Sequence, residues 1–165
     1  MKCDIVREWA DAFRAEGIKI GFYFSIIDWH HPHYIIIWRH PQRAKRDELN
    51  QRRDFNIYLD FMDKQIEELL TQYGKIDIFW PDFALADNKI TGEKGKSAED
   101  YRADSIIEKI KIWQPGIIIN NRFGRPGELE SDFSTPEQYI PETDITEAKE
   151  AESSDLIGGW GTSKG

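Results

Sequence analysis

Cysteine is almost missing from this chain: Cys3 is the only one in 165 residues. That excludes an intrachain disulfide framework and offers no zinc-finger spacing. Basic residues are also in short supply, with 22 Lys and Arg against 30 Asp and Glu and a formal charge of −8. Without a cationic excess to neutralise phosphates, the composition argues against a nucleic-acid partner. Long apolar runs are lacking too. Stretches such as IIIW (35–38) and GIIIN (116–120) fall far short of the roughly 20 apolar residues that cross a bilayer, so no membrane insertion is expected. The opening MKCDIVREWADAF is amphipathic and charged, with none of the apolar length of a signal peptide. What the chain does have is aromatic character, at 13% with six Trp. Sugar-handling proteins share that richness, as do many ordinary cores.

Three segments follow one grammar of helix, glycine or proline-glycine, then short apolar strand. In the first, DIVREWADAFRAEG places Ile5, Trp9, Ala12 and Phe13 at helical spacing, Gly17 stops the helix, and IKIGFYFS (18–25) reads as a strand. The second predicts a helix from about Gln51 to Tyr73 with Phe55, Tyr58, Met62, Ile66, Leu69 and Tyr73 as its stripe. Gly74 ends it, and the strand IDIFW follows. The third predicts a helix from about Ala98 to Trp113, with Tyr101, Ile106, Ile107, Ile110 and Trp113 facing inward. Pro115-Gly116 ends it and IIIN follows. SDFST (131–135) is a candidate fourth strand. Near-continuous apolar strands between helices predict an α/β fold with a parallel sheet. No strand is followed by a Gly-rich phosphate loop, which weakens a dinucleotide fold. The polar and aromatic residues of interest instead gather just after strand ends, as in a (β/α)8 barrel. A full barrel needs roughly 250 residues. The expectation is therefore a partial, TIM-like barrel truncated at both ends, with residues 1–165 as a fragment of one catalytic domain. Alone, such a fragment should be inactive and marginally stable. The polar loop 84–97 is expected to be mobile, and the acidic tail from about Pro141 to be poorly ordered.

Several residues could carry chemistry. In KIDIFWPDFALAD (75–87) the apolar run stops at Trp80-Pro81 and Asp82 stands just beyond. A carboxylate there, flanked by Trp80 and Phe83, suits a glycosidase nucleophile, which must stay ionised and rigid while an oxocarbenium-like centre forms beside it. An Asp capping a loop after proline is the other reading, and spacing alone favours it. A retaining glycosidase needs a second carboxyl about 5 Å away; Glu128, Glu130, Glu137 and Glu142 lie downstream. Glu137 follows SDFST and Pro136, though STPEQ also fits a helix start of Ser/Thr cap, Pro and Glu. Arg122 after IIINN could hold a hydroxyl or the nucleophile, or be a plain surface cation. DWHHPHY (28–34) contains three of the four histidines. His30 and His31 are adjacent and point apart on an extended chain, so a metal site is poorly supported and none is assigned, nor any cofactor. Hydrogen bonding by His30 or His31 at a sugar site is the better use, with His33 and His40 as solvated loop residues. On a strand, Gly21, Tyr23 and Ser25 share one face, and Tyr23 could present its hydroxyl at the rim or be a core tyrosine tied to backbone.

Taken in order, GFYFSIIDWHHP, YLDFMDKQIEELLTQYGKIDIFWPDF, IIINNR and DFSTPEQ resemble the central catalytic barrel of the α-L-fucosidases, over nearly the whole chain. The resemblance implies a (β/α)8-like barrel and a retaining, two-carboxylate removal of terminal L-fucose from a fucosylated glycan. By position it implies Asp82 as nucleophile and Glu137 as acid/base. Tyr23 and Arg122 would contact the fucose or the nucleophile, while Trp29 and Trp80 would line the pocket. It also implies a parent that is secreted, periplasmic or lysosomal. There are departures: Pro81 replaces the family's aromatic residue before the nucleophile, its upstream HHxGF-type strand is not here, and Ala151-Glu152 stands where Trp-Glu is usual. Those departures keep a non-catalytic carbohydrate-binding relative in play, and the histidine cluster adds a metal-dependent hydrolase as a third reading.

Overall fold

The computed structural model describes residues 3–84, 87–88, 91–124, 131–133 and 135. Its element order is α1 (Ile5–Ala15), β1 (Gly21–Ser25), a 3-10 turn (Arg43–Lys45), α2 (Arg46–Asn50), α3 (Phe55–Thr71), β2 (Ile78–Asp82), α4 (Ala103–Trp113) and β3 (Ile118–Ile119). The three strands form one parallel sheet in the order β1-β2-β3. The α/β expectation is therefore met; among the described residues the sheet is open and three strands wide. The fourth strand read in SDFST contributes one parallel bridge, Asn120 to Phe133. Among these residues no helix is long and apolar enough to cross a membrane.

The register explains how the sheet sorts its side chains. Gly21 pairs with Ile78, Tyr23 with Trp80 and Ser25 with Asp82. In a parallel ladder such partners lie on the same face. Gly21 suits this close approach, because an added Cβ would lie 3.1 Å from Ile78 Cβ and force that side chain to shift by a few tenths of an ångström. The alternate residues, Phe22, Phe24, Phe79 and Pro81, form the other face. Phe79 is fully buried, Pro81 is buried, and Phe22 and Phe24 pack against the same core.

That core comes mostly from two helices. Along α3, Tyr58, Met62, Ile66 and Leu70 are buried at four-residue intervals, the stripe that a helix turns toward a sheet. Leu70, rather than the expected Leu69, is the deeply buried one; Leu69 is half-buried. From α4 come Ala103, Ile106 and Ile110. This helix begins five residues later than expected, since Arg102 is left-handed at φ 57° and interrupts the turn that holds Tyr101. The two helices are laced by Lys109 with Asp63 and by Arg102 with Asp60 and Asn56. Gln114 ties the ends together, donating to Leu70 O and Gly74 O and accepting from Ile76 N.

Helix α1 departs from expectation. Its N-cap, Asp4, accepts from Arg7 N, but its large apolar residues are not buried. Ile5 is 77% exposed, while Trp9 and Phe13 are about two-fifths exposed and Ala10 is the buried residue. The reason is position: β1 is the edge strand of the described sheet. Trp9 reaches Phe22 at 6.0 Å between ring centroids, and the rest of the stripe has no sheet to cover.

The strand carrying Asp82 also differs. It does not stop at Trp80; the ladder runs through Pro81 to Asp82, and Ile26 N donates to Asp82 O. Proline is tolerated for a geometric reason. Ile78 N and Asp82 O bond toward β1, so by alternation the backbone of residue 81 between them faces the β3 side, where the ladder ends at Ile119. The N–H that Pro81 lacks would have faced a side where the pairing has ended. Loop 84–97 is tied at several points, with Asp87 accepting from Gly95 N and Lys94, and Glu93 paired with Arg46. The tail from Pro141 lies outside the described residues.

Candidate active site

At the carboxyl end of β2, Asp82 is held by three donors from three parts of the chain. Its Oδ2 accepts from the Tyr23 hydroxyl at 2.7 Å. Its Oδ1 accepts from Phe83 N at 2.7 Å and from Arg122 Nη1 at 3.2 Å. The side chains of Asp82 and Arg122 are 17% and 18% exposed. The carboxylate is therefore shielded but open to approach. Each partner follows from the fold. Tyr23 lies two residues before Ser25, which is opposite Asp82 in the ladder. Phe83 turns its N–H back by adopting φ 71°, a left-handed conformation costly for a large side chain. Arg122 comes three residues after the end of β3.

Arg122 is itself anchored. Its Nε donates to Thr135 Oγ1 at 2.5 Å and its Nη2 to Thr135 O at 3.2 Å. Thr135 in turn donates its hydroxyl and its backbone N–H to Asn121 Oδ1. Thr135 is 7% exposed. Sequence reading missed both anchors. The signal was present in the bridge-forming pair of segments: Phe133 sits beside Asn120, which carries Thr135, two residues on, to the level of Arg122. One wall is aromatic, with Trp80 set edge-on to Phe133 at 5.6 Å. Asn120 is buried and accepts from Arg122 N, while its Nδ2 has no partner among the described residues.

The sequence-derived candidates thus divide. Asp82, Tyr23 and Arg122 are brought into contact, and Trp80 shares their face of the sheet. Trp29 is 42% exposed and packs against His40. His30 is exposed, its N–H bonded to Asp28. His31 turns to α3, stacked on Phe61 at 4.7 Å and edge-on to Tyr58. Burial lowers its pKa, assisted by His33 and Arg53 against the opposing pull of Asp28. His33 and His40 are not the solvated residues expected. His33 Nδ1 accepts the N–H of Asp54, the N-cap of α3, and His40 is buried between Trp29 O and Gln42 N. Among the described residues no three metal-ligating side chains converge. Glu137 lies outside the described residues, as do Glu128, Glu130 and Glu142.

A shielded carboxylate gripped by a tyrosine hydroxyl, a backbone N–H and an arginine, at the carboxyl edge of a parallel sheet, is a group fixed in place and aimed. Comparison with known proteins gives the family. The family model for alpha-L-fucosidase matches residues 1–164. The chain belongs to the α-L-fucosidase family. It is 32% identical over 117 residues to putative alpha-L-fucosidase 1 of Oryza sativa subsp. japonica, covering 70% of this chain and 17% of that protein. Among solved structures it resembles alpha-L-fucosidase isoenzyme 1 from Paenibacillus thiaminolyticus, with 41% identity and a TM-score of 0.72 over 91% of this chain and 37% of that one. A glycoside hydrolase 29 family member from an unknown rumen bacterium is 29% identical, with a TM-score of 0.56 over 81% of this chain and 21% of that one. The chain thus spans well under half the length of these relatives.

Proposed function

We propose that this chain forms part of the catalytic barrel of a retaining α-L-fucosidase and that Asp82 is its nucleophile. The three-stranded sheet would then be an arc of a (β/α)8 barrel, its Tyr23–Trp80–Asp82 face turned inward. What supports the assignment above all is the triple grip on the Asp82 carboxylate, since a loop cap needs no tyrosine and no anchored arginine. In this reading Asp82 attacks the anomeric carbon of a terminal fucose as the glycosidic oxygen leaves, protonated by the acid/base, for which Glu137 is proposed. Water, deprotonated by that same residue, then releases the sugar with its configuration kept. The Arg122 guanidinium and Tyr23 hydroxyl hold the carboxylate in position before attack. Trp80 and Phe133 give the deoxy sugar an apolar wall. Pro81, which in the sequence weakened the assignment, is accommodated in the ladder without displacing Asp82.

The test uses an intact protein that contains this chain and an activated aryl α-L-fucoside. Asp82→Gly should lower turnover by roughly three orders of magnitude or more. Added azide should restore it by bonding to the anomeric carbon as the aryl oxide departs, giving the β-fucosyl azide. Near-normal turnover in Asp82→Gly would remove the assignment. Fucose binding without turnover in the unmutated protein would favour a purely carbohydrate-binding relative.

A further inference from the structure

We infer that Thr135, supported by Asn121, is a positioning residue for the nucleophile, acting through Arg122. The inference rests on Asp82 having that role. Arginine has a long side chain with several rotatable bonds, and one hydrogen bond to Asp82 at 3.2 Å does not fix its plane. Two further bonds do. Thr135 engages Nε through its hydroxyl and Nη2 through its carbonyl, which occupies one edge of the guanidinium and leaves Nη1 directed at Asp82. A threonine hydroxyl can point its proton many ways; Asn121 removes that freedom. Its Oδ1 takes the Thr135 proton at 3.0 Å, which turns the hydroxyl lone pairs toward Arg122 Nε. The Thr135 N–H donates to the same Oδ1 at 3.2 Å, so backbone and side chain are set together. The chain of contacts runs Asn121, Thr135, Arg122, Asp82, within a region where Thr135 is almost wholly buried. Among the described residues, the charged and titratable groups bonded to Asp82 are Tyr23 from β1 and Arg122 from the segment after β3. Loosening Arg122 therefore leaves the carboxylate with two neutral donors, the Tyr23 hydroxyl and the Phe83 N–H.

The strut also links the two halves of the proposed chemistry. Thr135 lies two residues before Glu137, so one short segment would steady the nucleophile through Arg122 and carry the acid/base.

The experiment compares Thr135→Val and Thr135→Ser in the intact enzyme, reading kcat and KM separately with an aryl fucoside. Val keeps the shape and the backbone bonds but removes the hydroxyl. It should lower kcat by about ten- to a hundredfold with KM little changed, since a loosened Arg122 leaves the attacking carboxylate less well aimed. Ser restores the hydroxyl and should return kcat toward the wild type. Should the Val variant fail to fold, Asn121→Ala, which frees the Thr135 proton, should lower kcat in the same way. An unchanged kcat in whichever of these folds, or a Ser variant as impaired as Val, overturns the inference. That result would leave Asp82 untouched as nucleophile if azide still rescues Asp82→Gly; loss of the azide result would instead sink the underlying reading.

Discussion

Two aspartates five residues apart, Asp77 before β2 and Asp82 at its end, look alike by crude measures. Their side chains are 15% and 17% exposed, and each accepts a backbone N–H and faces a cation. Their partners differ in kind. Asp77 takes Ile20 N at 3.0 Å and pairs with Lys19 and Lys75, whose side chains are 77% and 70% exposed. Burial alone would raise the pKa of Asp77, but the Ile20 N–H, Lys75 and Lys19 outweigh it and hold the carboxyl below its ordinary value. Asp82 has instead an ordered tyrosine, an anchored arginine and its neighbour's strained backbone. Asp77 joins two strand entrances; Asp82 is gripped on both oxygens yet sits on the less covered face of the sheet. On the proposed reading of Asp82, what would separate a reactive carboxylate from a structural one is the rigidity of its partners and what it faces, since the two are almost equally buried.

The largest expected effect separates the two outright. In the intact enzyme, Asp82→Asn should lower turnover by roughly three orders of magnitude while shifting the melting temperature little, because the amide keeps the shape and one acceptor. Asp77→Ala should do the reverse. It leaves Ile20 N without its partner, at a cost of about 1–3 kcal/mol, and folded enzyme should turn over normally. The exposed lysines add little to that cost. Equal losses of turnover in the two variants would erase the contrast.

Some of this was legible in the sequence and some was not. The helical period of α3 exposed Tyr58, Met62 and Ile66 as core because a single helix stripe is a local property. The position of Asp82 after an apolar strand was legible for the same reason. The stripe on α1 misled, since periodicity says which face is apolar but not whether a neighbour exists to cover it. The continuation of β2 through Pro81 was hidden, because proline is a breaker unless its missing N–H points to an unpaired side. That fact belongs to the register with β3, about 40 residues away. Thr135 and Asn121 escaped notice because the bond joining them to Arg122 depends on one bridge between two segments. His40 was hidden similarly: its burial is set by Trp29, eleven residues back across a loop.

Acid should reveal the structural carboxylate at lower pH than the histidines. Burial lowers the pKa of His31 and of His40. Each favours the fold while neutral, and that contribution is fully present above the unfolded value near 6.5. It is lost as pH falls from there through the depressed folded values. Asp77, depressed below the ordinary carboxylate range, contributes above about pH 4, and its share is lost as pH falls further. Thermal melts should therefore decline in two stages on acidification, and Asp77→Ala should shrink the lower one, which Asp100 shares because its burial is likewise outweighed by the Ser97 and Lys96 donors that lower its pKa. An unchanged lower stage in that variant would mean that Asp77 is not the group whose titration is being read.

The smallest effect probes the backbone beside Asp82. Phe83 and Arg102 are the non-glycine residues with positive φ among those described, and at Phe83 this turn brings the N–H onto the carboxylate. Glycine normally destabilises a folded chain relative to alanine, by about 0.5–1 kcal/mol in a regular element, because it loses more freedom on folding. At a left-handed position the order reverses, since alanine there carries a steric cost of about 1–2 kcal/mol that glycine lacks. Phe83→Gly and Phe83→Ala remove the same ring, so their difference isolates the backbone. The glycine variant should melt higher by an amount equivalent to about 1 kcal/mol. If alanine proves the more stable, Phe83 is not held left-handed in solution. The Asp82 carboxylate would then lose one of its three donors, and the contrast with Asp77 would narrow to the tyrosine and the arginine.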